Sequence, residues 1–418
     1  SNDSMVASSI PSIWSFDRRS ESRSGFTVNN TFHLTARVGF GLEAVVSREL
    51  KALGFEDPKS EDGRVHFSGG LDAIVRANLW LRSADRVVLQ IGEFKAHDFG
   101  QLFDLTRDLP WEQWLPRDAE FPVTGRSLKS QLHSVPDCQR IVKKAIVERL
   151  RSAYDVDWFE ESGPLYPIEV SVHKNNVKLT IDTSGSGLNK RGYRKLTAKA
   201  PLRETLAAAM VQLSVWNPER PFVDPFCGSG TIPIEAALIA TNRAPGLNRV
   251  FACSDWPQIE DSIWEHAWQE AKDLMRPAPE ELLIGTDVDP VVLGMARFHA
   301  NKAGVGELVH FQQRPFHELR SAKKYGCVVT NPPYGERMGE EAEVERIYAS
   351  MAGVFNRLET WSFFVLTPFE KFEKTVRRQS TRRRKLYNAK IACTLHQILG
   401  PRPPKRSAVQ ASPDEADQ

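Results

Sequence analysis

The residues whose chemistry is most readily stated are Asn331-Pro332-Pro333-Tyr334, which follow the short apolar run 327–329. The asparagine side-chain carbonyl and the neighbouring Pro332 carbonyl are two acceptors, suited to gripping a planar –NH2 group and drawing electron density onto its nitrogen. Pro332 and Pro333 cannot donate hydrogen bonds and have a fixed φ, so they would hold this turn stiffly with its carbonyls exposed. Tyr334 offers a flat face on which a base can stack. As an isolated turn these four residues are ordinary. Two other strand ends give them meaning.

The first is Phe222-Val223-Asp224-Pro225-Phe226-Cys227-Gly228-Ser229-Gly230-Thr231, followed by a helically spaced apolar run to residue 238. It reads as strand, tight turn and helix, the opening unit of a nucleotide-binding α/β domain. Glycine suits such a turn because a side chain would hold the backbone away from a ligand, and because positive φ costs glycine little. The dinucleotide pattern is excluded, since no third glycine follows at the required offset. The second strand end is Leu283-Ile284-Gly285-Thr286-Asp287-Val288-Asp289-Pro290, ahead of a helix over 291–303. In a doubly wound sheet neighbouring strand ends share one crevice, which would set Asp287 beside the glycine turn, where a carboxylate can accept both hydroxyls of a ribose. The competing reading makes Asp287 or Asp289 a helix N-cap.

Taken in chain order, with Gly335-Glu336-Arg337 completing the third, the three stretches resemble the motifs of class I S-adenosylmethionine-dependent methyltransferases. More narrowly, they resemble the THUMP-domain RNA guanine-N2 methyltransferases related to the first half of the bacterial RlmL protein, over residues 32–404. The resemblance implies S-adenosylmethionine as cofactor, held by Asp224, Phe226, Cys227, Gly228, Ser229, Gly230 and Thr231 of the turn and by Asp287 and Val288. It adds Arg203, Glu204 and Thr205, in the first turn of a helix over 202–216, as contacts to the methionine part. Asn331, Pro332, Pro333 and Tyr334 become the catalytic motif. Many relatives carry an acid after the third strand to accept the adenine amino group; Pro315 stands there in this chain, leaving backbone groups as the alternative. Glu235 is expected to do no more than support the start of its helix.

The elements that must position these residues come from a chain of 418 residues, long enough for two or three cores. Hydrophobic content of 41% and charged content of 26% are those of a globular protein. No apolar run reaches the ~20 residues that cross a bilayer. The five cysteines are dispersed with no Cys-x-x-Cys, which argues against a disulfide framework and a zinc site and for a reduced, cytoplasmic protein. Residues 1–30, rich in serine, read as a disordered tail, with a transit peptide as the alternative. Residues 31–94 alternate strand, helix, strand, helix, strand (32–37, 41–53, 64–67, 71–79, 86–91), a small ferredoxin-like unit. Residues 95–184 would form the THUMP domain, ending in a hairpin of 168–172 and 177–182; 185–200 is a basic linker, 201–400 the Rossmann-like domain and 401–418 a disordered tail. The expected fold class is α/β, a Rossmann-like methyltransferase domain preceded by an α+β ferredoxin-like/THUMP RNA-binding part.

A net charge of +2 does not advertise nucleic-acid binding, so any basic surface must be local. Three clusters qualify. Arg126, Lys129 and His133 lie in what reads as a polar loop over 122–134, before a helix over 138–151 that Asp137 can cap and that adds Arg140, Lys143, Lys144 and Arg149. Lys190, Arg191, Arg194 and Lys195 surround Tyr193 in the linker, where the resemblance implies the mouth of the active site. Arg382, Arg383 and Arg384 belong to the densest charge run, read as a basic turn before a closing strand pair. A tryptophan-rich stretch, 247–275, is expected to pack a core rather than hold a cofactor.

The expected reaction is methyl transfer to the exocyclic N2 of a guanine in RNA, with 23S rRNA or a pre-ribosomal particle as partner and no metal. The alternatives are a tRNA guanine-N2 methyltransferase, an adenine-N6 methyltransferase, and an RNA-binding or ribosome-assembly factor that has lost activity.

Overall fold

The computed structural model describes residues 31–196, 202–334 and 341–404, with the backbone alone for 341 and 343. Residues 1–30, 405–418 of the expected C-terminal tail, 197–200 of the linker and 335–337 after the tyrosine lie outside the described residues.

The N-terminal part is one seven-stranded sheet covered on one face by helices. Its strands are β1 (Phe32–Val38), β2 (Lys59–Glu61), β3 (Arg64–Gly69), β4 (Ala84–Lys95), β5 (Val123–Leu128), β6 (Ile168–His173) and β7 (Asn176–Asp182), in the order β2-β3-β1-β4-β7-β6-β5. The helices are α1 (Glu43–Ala52), α2 (Leu71–Trp80), α3 (Phe99–Arg107) and α4 (Val135–Tyr154). Strand β4 pairs with β1 along one edge and with β7 along the other, so the two expected N-terminal units share a single sheet. Alternation is plain in β6 (Ile168, Val170 and Val172 buried), which is what a sheet with one covered face requires.

Two readings of this part are corrected. Residues 123–128 form the edge strand β5, pairing parallel with β6, so Arg126 stands on a strand rather than a loop. Helix α4 begins earlier than expected and its N-cap is Ser134, whose side chain accepts from the Asp137 N–H.

The second sheet runs β10-β9-β8-β11-β12-β14-β13. Its strands are β8 (Phe222–Asp224), β9 (Leu283–Asp287), β10 (Val309–Gln313), β11 (Cys327–Thr330), β12 (Ser362–Thr367), β13 (Arg382–Asn388) and β14 (Ile391–Ile398). The first five are parallel, and β14 and β13 close the sheet antiparallel. Every residue of β8, β11 and β12 is buried, as expected of strands covered on both faces. Around it lie α5 (Glu204–Leu213), α6 (Thr231–Ala240), α7 (Asp261–Asp273), α8 (Pro290–Lys302), α9 (Glu341–Arg357) and α10 (Phe372–Thr375). The strand order reverses at β8, flanked by β9 on one side and β11 on the other, and a crevice opens at the carboxyl ends of these three strands. Arg382–Asn388 form β13, so the basic run belongs to an edge strand and not to a turn.

Tryptophans join the two parts, as the core reading of 247–275 expects. Trp256 stacks on Tyr166 of the N-terminal part (centroids 4.5 Å apart, 14°) and donates to the Leu165 carbonyl at 2.9 Å. Arg76 of α2 makes a forked ion pair with Glu270 of α7 (2.9 and 2.8 Å).

Candidate active site

Each wall of the crevice starts from a strand end. After β8, the chain turns through Gly228 (φ 48°) and Gly230 (φ 86°) into α6, whose N-terminus carries no side-chain cap. A Cβ on Gly230 would lie 2.9 Å from the Ala296 Cβ and 3.0 Å from the Phe311 ring, so both conformation and space demand glycine there. After β9, the Asp287 carboxylate accepts from the Gly228 N–H at 2.9 Å and from the Asp289 N–H at 3.1 Å. Capping of α8 falls to Asp289, which accepts from the Val291 N–H at 2.8 Å. Asp287 is thereby left at the strand end, beside the glycine turn.

Asp224 ends β8 fully buried, and accepts from the Thr330 hydroxyl at 2.6 Å and the Phe226 N–H at 3.2 Å. Burial raises its carboxyl to about 7; the two hydrogen bonds oppose the rise and neighbouring Asp287 adds to it. Through Thr330 this carboxyl is one residue removed from Asn331. Beyond β11, the Tyr334 hydroxyl donates to the Asn331 Oδ1, while the Asn388 amide approaches that hydroxyl at 3.4 Å.

These strand ends enclose a cavity of about 940 Å³. Among the expected cofactor residues its wall includes Asp224, Phe226, Cys227, Gly228, Ser229, Thr231, Asp287 and Val288, and among the catalytic motif Asn331 and Pro333. The wall also has an apolar part, from Val291, Val292 and Met295 of α8 and from Pro315 and Phe316, the last stacked on Phe226 (5.1 Å, 15°).

Known proteins place this arrangement. Family profiles match an RlmL ferredoxin-like domain at residues 33–88, a THUMP domain at 96–182 and an RMKL-like methyltransferase domain at 191–397. YpsC of Bacillus subtilis, provisionally named an RNA methyltransferase, is 45% identical over 381 residues, 91% of this chain and 99% of its own. The chain belongs to the RlmL-like THUMP methyltransferases. Within this family, a Listeria monocytogenes structure described as a predicted N6-adenine-specific DNA methylase is 49% identical with a TM-score of 0.85, covering 89% of this chain and 97% of that one. SMU.472, provisionally a methyltransferase and solved with SAH, is 41% identical with a TM-score of 0.85, covering 90% and 99%. The protein is a SAM-dependent RNA methyltransferase, and S-adenosylmethionine is its cofactor.

The cavity of this RlmL-like chain fits that cofactor by its donors and acceptors. Helix-start amides and a bare glycine turn suit close approach, Asp287 offers carboxylate oxygens, and the apolar wall suits a purine. The wall from Val291, Val292, Met295 and Phe316 escaped sequence reasoning. Its only trace in sequence is an apolar side chain at each of these positions flanking Asp289 and Pro315.

Other expected residues lie elsewhere. Arg203, Glu204 and Thr205 are not on the cavity wall among the described residues; Leu202 is. Thr205 and Arg203 turn to Asp85 of β4 (3.2 and 3.5 Å), and buried Glu204 faces Arg194 at 3.3 Å. Gly230 is filled behind by Phe311, and Pro332 stands off the wall.

Arg191 is a correction. It is buried rather than set at an RNA-facing mouth, giving its guanidinium to Glu235 (3.3 and 3.4 Å), the Leu188 carbonyl (2.6 Å) and the Arg82 carbonyl. Glu235 is correspondingly more than a helix-start support: it also accepts from the Tyr193 hydroxyl at 3.0 Å. Arg194 is largely enclosed and bonds the Leu202 carbonyl and the Thr231 hydroxyl, both at 2.7 Å, behind the cavity wall. Lys190 and Lys195 are exposed.

Arg126, Lys129 and His133 are exposed along β5 and the turn into α4, with Arg126 bonded to Ser171 at 2.9 Å. Lys143 and Arg149 of α4 are spent on Glu161 and Glu112. Arg382 and Arg383 are exposed on β13, Arg383 pairing with Glu373 at 2.9 Å, while Arg384 donates to the Gly41 carbonyl at 3.0 Å.

Proposed function

We propose that this chain methylates the exocyclic N2 of a guanine in large-subunit rRNA. The observation that carries the reading is the Asn331 side chain on the wall of the same cavity as the glycine turn and Asp287. The RlmL-like ferredoxin and THUMP profiles ahead of it support RNA as the substrate class, and the likeness to RlmL supports the large subunit.

S-adenosylmethionine supplies an electrophilic methyl group on a sulfonium. Asp287 is placed to accept the ribose hydroxyls, the amides from Gly228 to Thr231 to face the cofactor's polar end, and the apolar wall to hold its adenine. A target base must leave its stack to reach the cavity. Asn331 Oδ1 and the Pro332 carbonyl then accept the amine hydrogens, leaving the nitrogen lone pair aimed at the methyl carbon. The N–C bond forms as the C–S bond breaks, and the surplus proton leaves the nitrogen for solvent. Alignment of nitrogen, carbon and sulfur is the protein's main contribution. The Tyr334 hydroxyl donates to Asn331 Oδ1 and takes one of that oxygen's two lone pairs, leaving the other for an amine hydrogen. Five buried free cysteines support a reduced, cytoplasmic protein.

A second reading, adenine-N6 methylation, has one observation behind it: the description of the Listeria structure as a predicted N6-adenine-specific DNA methylase; residues 331–334 of this chain would grip any aromatic amine. Labelled S-adenosylmethionine with undermethylated large-subunit rRNA, small-subunit rRNA and bulk tRNA, followed by digestion to nucleosides, separates the two. Label in N2-methylguanosine from the large subunit supports the proposal. Label in N6-methyladenosine, or only in tRNA, replaces it.

A further inference from the structure

The N-terminal part meets the catalytic sheet at one further place, and two exposed aromatic rings meet there. Phe40, in the turn between β1 and α1, is 51% exposed, and Tyr387 on β13 is 36% exposed; their rings stand edge to face with centroids 6.0 Å apart. The pair is held by backbone fit. Gly41 adopts φ 88°, a Cβ there would lie 2.6 Å from the Lys385 carbonyl, and Arg384 donates to the Gly41 carbonyl at 3.0 Å. Strand alternation puts Lys385 on the same face as Tyr387, with its Nζ 5.6 Å from the ring centroid.

Cations outnumber carboxylates here. Arg382, Lys385 and Lys390 are exposed. The acids nearby are engaged: Glu43 accepts from the Gly41 and Gly63 N–H groups at 2.9 Å, and Glu373 pairs with Arg383. The strand also leads to the active site: Asn388, the residue after Tyr387 and on the other face of β13, reaches the Tyr334 hydroxyl at 3.4 Å.

We propose that Phe40 and Tyr387 form a platform on which a nucleotide flanking the target base stacks, with Lys385 holding an adjoining phosphate of a single-stranded segment. Exposed aromatics interleaved with unopposed cations are what single-stranded nucleic acid requires, and stacking accepts any base. The inference rests on RNA being the substrate of the neighbouring cavity.

The test uses the full chain and a fluorescein-labelled 12-nucleotide single-stranded RNA of mixed sequence, followed by anisotropy. Phe40→Ala and Tyr387→Ala should each weaken binding about tenfold, the worth of one stacked base. Tyr387→Phe should stay near wild type, and Lys385→Glu should weaken binding and flatten its salt dependence. Calorimetric affinity for S-adenosylhomocysteine should be unchanged throughout. Variants that keep cofactor affinity and bind the oligonucleotide as wild type does would overturn the platform while leaving rRNA labelling, and hence the methylation reading, intact. A wild-type chain that neither binds RNA nor labels any RNA fraction removes both. If the alanine variants disturb folding, Lys385→Glu alone decides. A change in oligomeric state without a change in RNA affinity would assign the patch to a second copy of the chain and overturn the proposal.

Discussion

Replacing Asp224 by asparagine should stabilise this protein at neutral pH. The carboxyl ends β8 fully buried among Thr330, Phe226 and Asp287, and burial carries it from 3.8 to about 7. A carboxyl raised in the fold binds a proton that the unfolded chain has already released, so stability is fully present below pH ~4 and is lost as the pH rises toward 7. Each pH unit in that window costs about 1.4 kcal/mol, so the total is on the order of 4 kcal/mol, complete above pH 7. Asparagine keeps an oxygen for the Thr330 hydroxyl and the Phe226 N–H but does not ionise. Urea denaturation at stepped pH should therefore show Asp224→Asn and wild type equal near pH 4, diverging in the variant's favour up to pH 7 and parallel beyond. Because Asp224 also lies on the cavity wall, the same variant should bind S-adenosylhomocysteine more weakly at pH 8. A wild type whose stability relative to the variant is flat between pH 4 and 7, or rises, would refute the argument.

Asn331→Ala should lower methyl transfer about a hundredfold or more while S-adenosylhomocysteine affinity by calorimetry stays within about threefold, since it removes an acceptor for the amine and none for the cofactor. Asp287→Ala should weaken S-adenosylhomocysteine about ten- to a hundredfold in the same assay, through lost charge-assisted hydrogen bonds. Glu235→Ala leaves the buried Arg191 guanidinium without its carboxylate and should cost about 3–5 kcal/mol in urea denaturation, with much of it restored in the Arg191→Met/Glu235→Leu pair. Gly230→Ala should destabilise by more than about 1 kcal/mol, because its positive φ and the 2.9 Å approach to Ala296 both oppose a Cβ.

The crevice was legible because its acids and its asparagine each end a buried parallel strand. There, an apolar run breaking into a polar residue marks both the strand end and the ligand side, and β8, β9 and β11 obey that rule. Residues 123–128 of the segment over 122–134 were misread because β5 is a half-exposed edge strand with Gly125 and Arg126 in it, so its period looks like a loop. Arg191, two residues before Tyr193, was misread for a different reason. A charge in a glycine-rich stretch looks solvated unless its partner is known, and Arg191's partner lies 44 positions on. The signal was Glu235 itself: a single carboxylate inside the otherwise charge-free Thr231–Ala240 helix, all but one of whose residues are buried, demands a cation brought from elsewhere. Spacing along the chain does not say which cation.

That pairing changes what the segment before the catalytic domain is for. From Arg191 to Leu196 the chain does not span a gap; it is bolted down at every second or third residue. Arg191 ties the Arg82 carbonyl, just beyond α2 in the N-terminal part, to Glu235 on α6. Arg194 ties the Leu202 carbonyl to Thr231 at the start of the same helix. The Leu196 N–H donates to His299 Nε2 at 3.3 Å, which leaves Nδ1 to donate to the Ser229 carbonyl at 3.2 Å and fixes the neutral tautomer; burial lowers the histidine's pKa in agreement. Buried ionic contacts of this kind contribute little net stability compared with apolar packing, and they hold position because any displacement strands a charge. The segment therefore sets the RNA-binding part against the glycine turn, and, on the proposed reading, a flexible tether could not present a base to Asn331 with the alignment that in-line transfer needs.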